Sequence, residues 1–211
     1  MASVDSPTIG IVDYGSGNLR SVHRAVEHAG GLCTLVHSPS DAERCKALVV
    51  PGVGSFGDCA SQLKQIGLWD YLGRWISDDR PYLGICLGYQ LLFDSSEESP
   101  GVGGFGILAG KAVHFPRVAG LKIPHMGWNQ LHITNPSDPL MTGLGVNPDF
   151  YFVHSYYPVP EEKGVITSTC DYGLEFAASI TRGNLSAVQF HPEKSQEIGL
   201  RMLRNFIASI D

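Results

Sequence analysis

The first half of this chain alternates short apolar runs with apolar residues at helical spacing, and that alternation narrows the folds open to it. Ile9, Ile11 and Val12 form a run that stops at Asp13-Tyr14-Gly15-Ser16-Gly17. Leu19, Val22, Ala25, Val26 and Ala29 then recur with a helical period up to Gly30-Gly31. Leu32 to Val36, Ala47 to Val50 and Tyr82 to Ile85 have strand length. Phe56 to Trp75 reads as one or two helices interrupted near Gly67, and Leu87 to Phe93 as the opening of another. Strands that are apolar throughout must be buried on both faces, which requires a parallel sheet covered by helices on each side. The fold class expected is α/β, a doubly wound and mostly parallel sheet.

From about Lys111 the pattern becomes β-rich. Lys111–Phe115, Gln130–Thr134, Phe150–Tyr157, Val165–Thr169 and Leu174–Ile180 are separated by turn residues and predict an antiparallel extension of the main sheet. Leu185–Phe190 returns to an apolar strand. A last helix carries Ile198, Met202, Leu203, Phe206, Ile207 and Ile210 on one face, with Ser195 as its expected cap. With no repeat or linker, 1–211 reads as a single domain, long enough to bury a sizeable core.

Composition removes several classes of function. With 21 acidic and 15 basic residues the formal net charge is -6, so no dense basic face is available for nucleic acid or an anionic membrane. No run approaches the ~18 apolar residues of a membrane span, and MASVDSPTIG lacks the features of a secretory signal, so a cytoplasmic setting is expected. The five cysteines are an odd count without a CxxC, which fits a reduced compartment. His23, His28, His37, His114 and His132 show no metal-ligand spacing, so no metal is expected. Gly15-Ser16-Gly17 has Arg20 where a dinucleotide loop needs its third glycine, and no cofactor is expected.

Gly84-Ile85-Cys86-Leu87-Gly88-Tyr89-Gln90 lies where a strand turns into a helix, the Gly-x-nucleophile-x-Gly pattern of a nucleophile elbow with Cys in place of Ser. A thiol there faces free N–H groups at a helix start, which favour the thiolate, and the N–H of Leu87 is a natural oxyanion donor. A buried cysteine in a glycine-containing turn is the competing reading. Downstream, Gln189-Phe190-His191-Pro192-Glu193-Lys194 follows the last apolar strand. Pro192 pushes His191 into extended backbone, and residues two apart then point the same way, so Glu193 stands beside the imidazole. A carboxylate so placed fixes the tautomer and stabilises the imidazolium. A solvated loop is the alternative.

These segments resemble the class I (triad) glutamine amidotransferases, and among them the glutaminase subunits of imidazole glycerol phosphate synthase. The similar segments are Asp13-Tyr14-Gly15-x-Gly17-Asn18, Pro51-Gly52-Val53-Gly54-x-Phe56-Gly57, the elbow, Pro124-His125-Met126-Gly127-Trp128-Asn129, His154-Ser155-Tyr156, and Gln189 to Ser195. The resemblance implies a flavodoxin-like fold and a Cys86, His191, Glu193 triad that hydrolyses L-glutamine through a thioester. It implies an oxyanion site from Gly52, Val53 and Leu87. It places Gln90 and Glu98 at the α-amino end of glutamine, and the backbone of His154, Ser155 and Tyr156 at its carboxylate. Glu98 reads equally as solvated surface, and Pro51–Gly54 as an ordinary turn. The implied partner is a (β/α)₈-barrel cyclase subunit that receives the ammonia in a heterodimer, with Asn18, His125, Trp128 and Lys194 at the interface. Without the resemblance, Trp128 reads as core, Lys194 as free surface and His125 as a satisfied turn histidine. A glutaminase of another amidotransferase (for pyridoxal phosphate, anthranilate or aminodeoxychorismate synthesis), a stand-alone cysteine hydrolase and a non-catalytic scaffold are the rival readings.

Overall fold

The computed structural model describes residues 8–15, 19–118 and 120–210. The first half builds β1 (Thr8–Val12), α1 (Leu19–His28), β2 (Leu32–Val36), α2 (Pro39–Ala42), β3 (Ala47–Val50), α3 (Phe56–Gln65), α4 (Leu68–Ser77), β4 (Tyr82–Ile85) and α5 (Leu87–Gln90). The break between α3 and α4 falls at Gly67, whose φ of 73° suits a residue without a Cβ. The second half adds β5 (Phe93–Ser96), β6 (Leu108–His114), β7 (His125–Ile133), β8 (Asp149–His154), β9 (Tyr156–Pro160), β10 (Ile166–Asp171), β11 (Glu175–Arg182), β12 (Leu185–Val188) and α6 (Gln196–Ala208).

A nine-stranded sheet runs in the order β2-β1-β3-β4-β12-β11-β10-β7-β8. Its first five strands are parallel, as in a flavodoxin-like doubly wound fold, and the last four form the antiparallel extension. Alternate residues of the parallel strands serve opposite faces. Ala47 and Val49 pack with residues of α1 and α6, while Leu48 and Val50 pack with α3 and α4. All four are fully buried. Truncating Leu48 to Ala would cost about 2–5 kcal/mol at such a site.

Three sequence expectations change, the first being that Lys111–Phe115 joins the main sheet: β6 pairs instead with β5 and β9, in a separate sheet. The apolar run after Cys86 does not continue as a helix to Phe93. It stops at Gln90, because the carbonyls of Leu91, Leu92 and Phe93 accept N–H groups from Phe105, Ile107, Leu108 and Gly106. Phe93 instead opens β5 in a separate sheet, β5-β6-β9. The run Phe150–Tyr157 is likewise two strands, broken at Ser155 where the chain leaves the large sheet for the small one.

The register sets up the site. Val50 lies opposite Gly84, and Ile85 opposite Val188, so β3, β4 and β12 end together. The segments that follow them, from Pro51, Cys86 and Gln189, emerge on one edge of the sheet, where ligands of open α/β sheets bind.

Candidate active site

Cys86 occupies the turn between β4 and α5 with φ 54° and ψ -101°, a conformation that side-chain-bearing residues rarely adopt. Its surroundings leave the turn no alternative. Cys86 N–H donates to the Val188 carbonyl at 2.8 Å, tying the elbow to β12. A Cβ on Gly88 would lie 1.9 Å from the Val50 carbonyl oxygen, and one on Gly84 2.6 Å from that of Gly88, so both flanking glycines are required by close approach.

His191 and Glu193 come from the loop after β12. His191 is extended, with φ -109° and ψ 94°, and its Nδ1 lies 2.8 Å from Glu193 Oε1. A carboxylate accepts, so Nδ1 carries the proton and Nε2 is left for proton transfer. His191 Nε2 is buried and has no hydrogen-bond partner among the described residues. Burial alone would pull the His191 pKa down, but Cys86 beside it and the Glu193 carboxylate raise it above its ordinary value. Ser195 was expected to cap α6. It occupies the cap position, yet its hydroxyl donates to the His191 carbonyl at 2.7 Å and accepts from Tyr151 N–H at 3.0 Å. His191 N–H in turn donates to the Tyr151 carbonyl at 2.9 Å, so β8 holds the histidine loop at two points.

Cys86 and His191 line one cavity of about 190 Å³ together with Gly52, Val53, Leu87, Gln90, Glu98, His154, Ser155 and Tyr156. That is below the usual 300–1,000 Å³ of drug-sized sites and suits something of amino-acid size. The segment Pro51–Gly54 packs directly on the elbow, since a Cβ on Gly52 would lie 2.3 Å from Leu87 Cβ. Tyr14 steadies it by donating its hydroxyl to the Pro51 carbonyl at 2.8 Å. Glu98 is not solvated surface: its Oε2 accepts Phe56 N–H at the start of α3 at 2.7 Å. The neighbouring Glu97 takes the solvated role, paired with Lys111.

The residues expected at a partner interface separate into two groups. Trp128 is 47% exposed on β7, next to Met126 at 61%, and Lys194 is exposed with its Nζ 5.7 Å from the centre of the Tyr151 ring. His125, on the same strand, is only 2% exposed. It stacks between Tyr172 and Phe152, at 3.9 Å and 4.7 Å between ring centres, and hydrogen-bonds His154. Asn18 lies outside the described residues. The expectation that His23 shows no metal-ligand spacing with acidic or thiol partners also needs correcting. His23 and Glu27, one helical turn apart on α1, pair at 3.2 Å, and Cys33 joins them. Burial and Glu27 push the Cys33 thiol up to about 11, and it donates to the His23 carbonyl, so the thiol stays protonated beside the His23–Glu27 contact.

The roles of Tyr14, Ser195 and Gln189 at the site escaped the sequence reading. Each acts through a partner 37 or more positions away. Their one shared signal was a place within or beside a motif.

Comparison with known proteins gives the family and the fold. The family described as glutamine amidotransferase class-I matches residues 10–210. The chain is 47% identical over 201 residues to the imidazole glycerol phosphate synthase subunit HisH of Syntrophotalea carbinolica, covering 93% of this chain and 97% of that protein. It is 48% identical over 198 residues to the subunit of the same name from Moorella thermoacetica, with coverages of 94% and 93%. The imidazole glycerol phosphate synthase hisHF, chloroplastic, of Arabidopsis thaliana is 45% identical over 208 residues, covering 98% of this chain and 35% of that longer protein. Among solved structures, PurLQS from Thermotoga maritima superimposes with a TM-score of 0.77 at 18% identity, covering 98% of this chain and 100% of that one. The glutaminase domain of CTPS from Trypanosoma brucei gives 0.61 at 15% identity, with coverages of 97% and 95%. At such identities the structural likeness concerns the fold.

Proposed function

Because this chain belongs to the class-I glutamine amidotransferase family and is a HisH-type glutaminase subunit of imidazole glycerol phosphate synthase, we propose that Cys86, His191 and Glu193 hydrolyse L-glutamine through a covalent thioester. His191 Nε2 takes the thiol proton, and the sulfur attacks the side-chain amide carbon. The charge that develops on the amide oxygen meets the N–H groups of Val53 and Leu87. Collapse breaks the C–N bond, and ammonia leaves with the proton that His191 returns. Water then attacks the γ-glutamyl thioester with His191 as base, releasing glutamate and the thiol. Glu193 holds the imidazole in register and stabilises its protonated form.

The observation that carries this reading is the buried His191–Glu193 pair, whose remaining ring nitrogen is buried in the cavity that holds Cys86. Substrate selection rests on Gln90 and Glu98 at the amino end and the backbone of 154–156 at the carboxylate. Gln90 spends its amide nitrogen on Tyr156 and Gln189, which leaves Oε1 as its remaining polar atom, an acceptor suited to an ammonium group.

Ammonia released into water at neutral pH becomes ammonium and loses its nucleophilicity, so it is passed directly to a second active site. The acceptor is a (β/α)₈-barrel cyclase that forms a heterodimer with this chain. That cyclase makes imidazole glycerol phosphate and an aminoimidazole-carboxamide ribotide in histidine biosynthesis. Exposed Met126 and Trp128 on β7 supply the apolar contact, Lys194 a cross-chain ion pair, and Asn18 a further contact. His125 contributes from beneath that surface. The whole of 1–211 acts as one domain in the cytoplasm. Among the described residues no helix is long and apolar enough to cross a membrane.

A glutaminase assay with and without the cyclase tests this. Cys86→Ala is expected to abolish glutamine-dependent synthesis while leaving partner binding and ammonia-dependent synthesis largely intact. Normal glutamate release by that variant would refute the nucleophile.

A further inference from the structure

We propose that Gln189 is a third group acting on the nucleophile: its side-chain amide N–H stabilises the Cys86 thiolate, and the Tyr156 carbonyl, acting through Gln90, fixes the amide in that donating orientation. The inference rests on Cys86 being the nucleophile. Gln189 directly follows β12 and is fully buried, with its main-chain N–H donated to the Ala178 carbonyl at 2.8 Å. Its Nε2 lies 3.5 Å from Cys86 Sγ, and its Oε1 3.2 Å from Gln90 Nε2. A glutamine placed only for packing would have no reason to aim either atom so.

The direction of every link follows from groups that can act in only one way. The Tyr156 carbonyl accepts only, and it receives Gln90 Nε2 at 3.0 Å and His154 Nδ1 at 2.9 Å. Gln90 therefore presents its nitrogen to Gln189, Gln189 answers with its oxygen, and the NH₂ group is left against the sulfur. The same carbonyl fixes the tautomer of His154. With its proton on Nδ1, His154 accepts at Nε2 from His125 Nδ1 at 3.0 Å, and burial keeps His154 neutral by pulling its pKa down to about 3. His125 Nε2 then accepts from Asn129 Nδ2 at 3.1 Å, and the orientation of Asn129 is set by Gln130 N–H on its Oδ1 at 2.8 Å.

A donor on sulfur matters because a thiolate accepts a hydrogen bond far better than a thiol, so the contact favours the charged form. Beyond Gln189, Sγ meets the Val153 carbonyl at 4.0 Å, which cannot help a thiolate. The titratable groups facing this sulfur are His191 with Glu193 behind it, His154 on β8, and Glu98 from the β5–β6 connection. Gln90 is a positioning residue that acts through Gln189.

The test is the pH dependence of iodoacetamide alkylation of Cys86 in the full-length chain, read by mass spectrometry of the Cys86 peptide so that other cysteines do not contribute. Gln189→Met keeps the length of the side chain and removes the donor. Its alkylation midpoint should rise by about one pH unit, making alkylation about tenfold slower on the acid limb, with the alkaline plateau unchanged. Gln189→Glu keeps the shape and sets a carboxylate against the sulfur, so its midpoint should rise further. Gln189→Leu, which removes the donor without adding charge, decides the matter should Gln189→Met fail to fold. A midpoint at the parent value in any of these variants, once folded, overturns the proposal. A raised midpoint together with a fully active Cys86→Ala chain would instead keep the hydrogen bond and sink the glutaminase nucleophile.

Discussion

Nδ1 of His191 sits 2.8 Å from Oε1 of Glu193, and the two side chains are 2% and 1% exposed. Only Pro192 separates them in sequence, so the pair is built locally and then sealed against β8 through Ser195 and Tyr151. A buried carboxylate in that position makes the imidazole both correctly protonated at Nδ1 and basic at Nε2.

Glu193→Gln removes the charge and keeps the shape. Without the carboxylate the histidine loses its fixed tautomer and the stabilisation of its imidazolium. The loss in kcat is expected to fall at about 10²–10⁴, with a much smaller change in KM, measured as glutamate release in the presence of the cyclase. An unchanged kcat would remove Glu193 from the mechanism.

Ser195→Ala takes away the hydroxyl that joins the His191 carbonyl to Tyr151 N–H. It leaves a buried N–H unpaired, which costs about 1–3 kcal/mol of stability. Urea denaturation gives that figure directly. Because the same hydroxyl steadies the base, kcat should fall as well, whereas a merely capping serine would lower stability alone.

Acid should destabilise the protein through its buried imidazoles. Burial lowers the pKa of His154 to about 3, so between about 3 and 6.5 the unfolded chain binds a proton that the folded chain refuses. Stability therefore falls as pH drops below 6.5. For His154 alone the loss between pH 6.5 and 5 is roughly 1–2 kcal/mol, because the slope reaches 1.36 kcal/mol per pH unit only once the unfolded imidazole is fully protonated. His191 adds no slope in that window. Its raised pKa makes its contribution fully present below its unfolded value and lost only as pH rises toward the folded one. Unfolding free energies that are flat from pH 6.5 to 5 would contradict a neutral, buried His154.

What could be read from the sequence was whatever depends on neighbours close along the chain. The strands of the parallel half, the helix break at Gly67 and the pairing of His191 with Glu193 all arise within a few residues. Cys86 was legible because its turn needs small residues at 84 and 88. The short α5 was not, since Leu87 to Phe93 is apolar enough for a helix and only the segment 105–108, bonded to its carbonyls, ends it. The split of Phe150–Tyr157 was hidden for a similar reason: continuous apolar character says nothing about a change of sheet at Ser155. Gln189 and His125 sat inside recognised segments, yet their partners are at Cys86 and His154, and no local pattern announces such pairings. Glu97 and Glu98 show the limit plainly. They are adjacent and alike, and the fold alone sends one to Lys111 and the other to the backbone of α3.

The central claim is that the Cys86 sulfur becomes covalently bonded to the γ-carbonyl of glutamine. Rapid acid quench of the complex during turnover, followed by mass spectrometry of the digested chain, reads this directly. The account predicts a γ-glutamyl adduct on the Cys86 peptide, absent from that peptide in the Cys86→Ala variant. Glutamate formation with no adduct on that peptide, or an adduct on Cys33, Cys45, Cys59 or Cys170 instead, would contradict it.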